Sequence, residues 1–318
     1  MHSRLYEGDR LDGLLRHRGL SELAGDLLPM ETFASHAALE RRLVERYAES
    51  LALLWRFLDS PRDRLFAVLA LRLQIENVKV VLRSRLAGRD VATQALPVIP
   101  MPEAFRWDDF DPSKLETVQS VLDAIPEPAI RRSACDAYML FADRPVPLYL
   151  EAGLDRGYFA LLADAAAELG NQDRRAIQPL LEVETDLHRL MLVLRARVNH
   201  GIDPALVARL VAAPPAAWVA AAAEGDSVDG IVRCAPGPLR RHLAEGPAEL
   251  PDIERRLWQA YYATANRVYR QAFFTVGCPY AFAAVKRMEL ANLITVVESV
   301  RYGLSADETL KHLLRPAA

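Results

Sequence analysis

QIENVKVVLRSRLAG (Gln74 to Gly88) recurs in two related forms, DLHRLMLVLRARVNHG (Asp186 to Gly201) and ELANLITVVESVRYG (Glu289 to Gly303). Each form reads as a helix with one apolar stripe and a defined end. Ile75, Val78, Val81 and Leu82 fall at helical spacing, matched by Leu187, Leu190, Val193 and Leu194 and by Leu290, Leu293, Val296 and Val297, so three buried faces are predicted. Each stripe then reaches Gly88, Gly201 or Gly303, suited to the left-handed residue just past a helix. Two residues later Asp90, Asp203 or Ser305 can cap the next helix.

Upstream of these blocks a second motif repeats. LERRLVERY (Leu39 to Tyr47), LEAGLDRGY (Leu150 to Tyr158) and IERRLWQAY (Ile253 to Tyr261) share an apolar residue, Glu, Leu and Tyr at the same spacing. The two motifs keep one register: Glu40 precedes Asn77 by 37 residues, while Glu151 precedes Arg189 and Glu254 precedes Asn292 by 38. A triplicated chain of 318 residues gives copies of about 106, each large enough for a small core of its own. The unit boundaries expected are 1–99, 100–213 and 214–318, near Pro100 and Pro214. Strand-like alternation is nearly lacking, so the fold class is all-α. Ser60-Pro61-Arg62-Asp63 predicts a capped start for a helix running to about Leu86, and Ser305 with Glu308 has the capping-box spacing. Stretches 96–112, 126–147 and 233–251, rich in proline, are expected to be loops. Periodicity leaves open whether three units form a line or a closed triangle.

Composition removes several function classes. With 39 Lys+Arg against 42 Asp+Glu, the net charge of -3 gives no long-range pull on phosphate backbones, and no basic patch suggests a nucleic-acid partner. Three well-separated cysteines, Cys135, Cys234 and Cys278, indicate neither a disulfide framework nor a zinc ribbon and fit a cytoplasmic setting. No signal peptide is expected in the first residues, and the most apolar run, 210–223, is too short to span a bilayer. GxxxxGK[ST], GxGxxG and GxSxG are missing, so no nucleotide or other cofactor is expected, and seven histidines form no HxH or HExxH pair.

The third unit carries a family resemblance. GCPYAFAAVKRMELANLITVVESVRYGLSADETLKHLLRP resembles the C-terminal pattern of the C subunit of V/A-type ATPases, the counterpart of the eukaryotic d subunit, through Tyr280, Lys286, Glu289, Asn292, Gly303, Leu304, Ser305 and Glu308. Glu76, Asn77, Val78, Lys79 and Arg83 give a sister motif in the first unit; the middle unit is degenerate, with Arg189 in the asparagine position. The resemblance implies three similar helical units in pseudo-threefold arrangement around a funnel, in a noncatalytic rotor adaptor. It also implies the partners: the central shaft, made of the D and F subunits, in the funnel, and the membrane proteolipid ring beneath. The chain would sit peripherally at the cytoplasmic face, touching the membrane only through the ring, and would serve proton or sodium transport.

Candidate contact residues are the repeated ones: Glu40, Tyr47, Asn77, Glu151, Tyr158, Arg189, Glu254, Tyr261, Glu289 and Asn292. The tyrosines are expected mainly to pack the repeated core, and Asn77 and Asn292 to hydrogen-bond within their own units. Gln74 and Asp186 stand where the third unit has Glu289, which argues against a symmetric acidic ring. The pairs Arg41-Arg42, Arg240-Arg241 and Arg255-Arg256 read as solvated helix faces. His188 is expected to be a satisfied or surface imidazole. Two competing readings are a generic helical scaffold and an all-α magnesium-dependent prenyl-transferring enzyme using Asp108, Asp109 and Asp111. Pro112 instead makes that acidic run a turn or cap.

Overall fold

The computed structural model describes residues 5–88, 97–143, 146–211, 216–243 and 249–315. Every regular element among them is helical. In order they are α1 (Asp9–Leu14), α2 (Leu20–Leu27), α3 (His36–Trp55), α4 (Arg62–Leu86), α5 (Val118–Asp123), α6 (Pro128–Asp143), α7 (Leu148–Ala167), α8 (Asn171–Leu194), α9 (Pro204–Leu210), α10 (Ala217–Ala223), α11 (Val228–Arg233), α12 (Gly237–Leu243), α13 (Leu250–Gln271), α14 (Gly277–Tyr302) and α15 (Ala306–His312). The first motif of each unit lies on α3, α7 or α13, and the second on α4, α8 or α14.

The stripe residues are buried, Leu290 alone partly, and each full burial of a Leu or Val side chain contributes roughly 1.5–3 kcal/mol. Gly88, Gly201 and Gly303 take φ of 63°, 56° and 68°, the left-handed ends anticipated. Asp203 accepts from Ala205 N (2.9 Å), and Ser305 and Glu308 form the capping box; Asp90 and Pro214 lie outside the described residues. Between Arg189 and Gly201 the middle unit has one residue more than the eleven separating Asn77 from Gly88 or Asn292 from Gly303. A π turn over Arg195–Asn199 absorbs it, since a single i→i+5 turn takes up an extra residue without ending the helix.

Three local expectations are corrected. Ser60 does not cap α4: Pro61 holds the cap position without a side-chain bond, and the first turn is closed by Arg62 N to Asp59 O (2.8 Å). The proline-bounded stretch 126–147 holds the sixteen-residue α6, because its prolines sit at the ends and leave the interior free to propagate. Likewise α12 and the start of α13 fall within 233–251, with Pro251 in the first turn, where its missing N–H costs nothing.

Packing joins the units head to tail. α4 packs on α7, α8 on α13, and α14 on α3, so the succession of contacts returns to its start. α6 and α7 approach closely at two glycines: a Cβ on Gly153 would lie 2.4 Å from Ala137 Cβ, and one on Gly157 2.6 Å from Ile130 Cα. α1 and α2 cover the α14/α3 seam, where Leu11, Leu23 and Leu27 pack with Leu39, Leu43, Leu293 and Val297.

Candidate functional site

The second-motif helices meet at their N-terminal ends. Asp173, 7% exposed in the first turn of α8, accepts from Arg62 Nε through Oδ2 (2.6 Å) and from Val276 N through Oδ1 (2.8 Å). Asp173 and Val276 occupy the same register, sixteen residues before Arg189 and Asn292; Arg62 stands one place past the equivalent Pro61.

Farther along these helices is a cavity of about 300 Å³. Tyr47, Tyr158 and Tyr261, one from each unit, all line it. So do Arg72, Glu184 and Arg287, which share another register position five residues before Asn77, Arg189 and Asn292. Arg287 Nη1 donates to Glu184 Oε1 (2.6 Å), the Tyr261 hydroxyl lies 3.4 Å from Glu184 Oε2, and the guanidinium stacks on Trp258 and Tyr261. Glu184 is 1% exposed, a site a carboxylate tolerates only with such partners. Arg72 stacks on Tyr158 and pairs with Asp155 (3.2 Å), which Lys79 also holds (2.8 Å). Burial would raise the Asp155 carboxyl, but these two cations outweigh it and keep it below the ordinary carboxylate range. Burial pushes the Tyr47 hydroxyl up to about 12; burial, then the Glu184 charge, raises Tyr158 and Tyr261, so all three stay neutral near pH 7. The sequence reading missed Arg72, Glu184 and Arg287, because a reversed charge in the middle unit hides a position legible only as "charged in every copy".

The asparagines clamp backbone. Asn77 donates to Ile99 O (2.9 Å) and accepts from Ile99 N (2.6 Å); Asn292 does the same to Leu314, at 2.8 and 2.7 Å. Both partners lie 22 residues downstream. Three residues earlier, Gln74 donates to Phe105 O (3.1 Å), which needs an amide, whereas Glu289 accepts from Tyr6 N (2.7 Å) and pairs with Lys286, which suits a carboxylate. The unequal residues at this position therefore follow the backbone group each one faces. In the middle unit Arg189 pairs with Asp186 (3.0 Å).

The repeated glutamates sit at the junctions between units. Glu151 pairs with Arg83 (2.7 Å) and Glu254 with Arg195 (2.9 Å), each arginine six residues past the asparagine position. At the third junction the equivalent residue is Glu298, and Glu40 meets a carboxylate instead. Burial, then a hydrogen bond to Glu298 and its charge, push Glu40 up to about 7, while the hydrogen bond from Glu40, then Arg301 (3.1 Å from Glu298) and His36, favour the ionised Glu298. Glu40 binds a proton to higher pH folded than unfolded, where its value is 4.5, so stability falls as pH rises from about 4.5 to 7. Glu40→Gln, which keeps a donor and cannot ionise, should flatten that slope and add about 1 kcal/mol at pH 8, a figure reduced for the partial exposure of the site. Thermal melts at pH 5 and pH 8 check this, and an unchanged difference between them counts against it.

His188 is not a surface imidazole. It is half-buried between Phe159 (5.0 Å) and Trp258 (5.5 Å), its buried Nε2 has no partner among the described residues, and desolvation, then the Arg72 and Arg287 charges, hold its pKa well below the usual range. The acidic run lies elsewhere: Asp111 caps a short 3₁₀ turn at Ser113, Asp108 is solvated beside Arg106, and Asp109 lies in the turn between them. Among the described residues no three His, Cys, Asp or Glu are placed to share a metal, and no helix is long and apolar enough to cross a membrane.

No curated protein matches the chain. The family model described as the ATP synthase (C/AC39) subunit matches residues 1–312. With nearly its whole length matched, the chain belongs to the C/AC39 family of rotary ATPase subunits, the family of the V/A-type C subunit and the eukaryotic d subunit.

Proposed function

We propose that this chain is the noncatalytic rotor adaptor of its ATPase, a pseudo-threefold funnel formed by units 1–99, 100–213 and 214–318. The shaft made of the D and F subunits sits in the funnel, the proteolipid ring lies against the outer face, and the assembly works at the cytoplasmic side of the membrane. The observation that supports this reading most is the head-to-tail packing of α4 on α7, α8 on α13 and α14 on α3 around a cavity to which each unit contributes a tyrosine. Equivalent residues meeting at Asp173 and at the Glu151 and Glu254 junctions support it further, since they recur with the same sense from one unit to the next. A part that passes torque needs stiffness and many distributed contacts rather than a reactive group, which suits a cavity whose polar groups are tied mainly to one another.

The purified chain is expected to hydrolyse no ATP and to capture the D and F subunits, or the proteolipid ring, from a reconstituted complex. Recovery of neither partner sinks the adaptor reading. The prenyl-transferring alternative expects magnesium-dependent release of diphosphate from an isoprenoid substrate, lost when Asp108, Asp109 and Asp111 are replaced.

A further inference from the structure

Two turns with exposed aromatic residues share the end where α4, α8 and α14 begin. Asp173 ties the three helices there through Arg62 and Val276 N, and Arg64 pairs with Glu168 across the same end. The α3–α4 turn presents Phe57, 80% exposed, and the α13–α14 turn presents Phe273 and Phe274, 64% and 101% exposed. In the α7–α8 turn Leu169 is buried, so the repeated hairpin does not itself require apolar residues in solvent. The α13–α14 turn is held in shape: Thr275 N and Oγ1 both donate to Ala272 O (3.3 and 2.8 Å), and Gly277 N donates to Thr275 Oγ1 (3.2 Å). Phe274 has φ of 64° and, among the described residues, is the only one besides glycines with positive φ, a conformation that bulky side chains avoid. Glycine would relieve the backbone there and expose less apolar surface, so the phenyl ring does not serve the fold. Charge around this turn has one sign. Between Glu254 and Glu289 the sequence holds no Asp or Glu, and the turn is approached by the exposed Arg267 and Arg270. They bond to Thr264 Oγ1 (3.3 Å) and Asn266 O (3.2 Å) within α13, and neither pairs with a carboxylate among the described residues. Arg56, beside Phe57, is also exposed and without an ion pair among the described residues.

We propose that the α13–α14 turn binds directly to a bilayer containing anionic phospholipid, with Phe273 and Phe274 entering the interfacial layer, Arg267 and Arg270 meeting headgroup phosphates, and Arg56 with Phe57 touching down beside them. Local positive charge on a chain of net charge -3 is complementary to an anionic surface. Phenyl rings on a convex turn carry no hydrogen-bonding atom and suit a surface that yields around them. An apolar tip with a cationic flank supplies the two signals that peripheral anchoring needs. This contact is additional to one made through the ring and does not depend on the adaptor reading.

Co-sedimentation of the full-length chain with vesicles tests the proposal. Binding to phosphatidylcholine vesicles containing phosphatidylglycerol should exceed binding to pure phosphatidylcholine and should weaken with added salt. Arg267→Gln/Arg270→Gln should lower the partition coefficient about five-fold per charge removed. Phe273→Ser/Phe274→Gly should lower it at least about ten-fold, while its melting temperature holds or rises because glycine accepts φ of 64°. Phe274→Trp reports depth: lipid with brominated acyl chains should quench the fluorescence that this variant adds over the parent. Failure of the unmodified chain to bind anionic vesicles, equal binding to pure phosphatidylcholine, or either double variant binding as tightly as the parent overturns the anchor. An added indole that brominated lipid leaves unquenched also overturns it, and leaves the turn as a docking point for protein.

Discussion

Arg287→Met is expected to cost about 3–5 kcal/mol, the usual penalty for removing one member of a buried ion pair. Glu184, 1% exposed, would keep only the 3.4 Å contact from the Tyr261 hydroxyl, far too little to replace the guanidinium 2.6 Å away. Stacking on Trp258 and Tyr261 disappears at the same time, although methionine recovers part of that packing. The double variant Glu184→Leu/Arg287→Met should recover most of the stability, because an apolar pair of similar volume avoids the desolvation of both charges. Urea unfolding of the single and double variants, combined as a double-mutant cycle, gives the coupling directly. A single variant within about 0.5 kcal/mol of the parent would mean that the pair does not bind α8 to α14.

That pair also marks where the sequence stops being legible. Apolar stripes, helix-ending glycines and the Ser305 cap depend on residues within a few positions of one another, so they can be read without knowing what lies across the fold. The tyrosines could be recognised as equivalent because all three copies kept the same residue. Arg72, Glu184 and Arg287 could not, since the middle unit answers the arginine of the third with a carboxylate; only partners on different helices explain the choice. Asn77 and Asn292 were visible as repeated polar residues on an apolar face. Their role depends on backbone groups 22 residues away, which no local pattern indicates. The loop expected at 126–147 failed for another reason: proline density signals interruption only when proline falls inside an element, and here the prolines flank α6. Head-to-tail packing lies beyond periodicity altogether, because a line and a ring place the same stripes on the same helices.

Asp173 had no repeated signal at all, and its replacement tests the end where α4, α8 and α14 come together. Asp173→Ala should cost about 3 kcal/mol, combining the lost charge-assisted bond to a backbone N–H with the penalty of leaving that buried donor unsatisfied. The Val276 N–H, 2.8 Å from Oδ1, dominates; the bond from Arg62, whose side chain is 45% exposed, is largely replaced by water. Asp173→Asn separates the two contributions: its amide oxygen can still accept from Val276 N, so it should lose only about 1 kcal/mol. Hydrogen exchange supplies the spatial readout. In the alanine variant the first turns of α4 and α14 should exchange faster while the α14/α3 seam, held by Leu293, Val297, Leu39 and Leu43, keeps its protection. Equal losses for the two variants would place the energy in the charge facing Arg62 and not in the cap on α14.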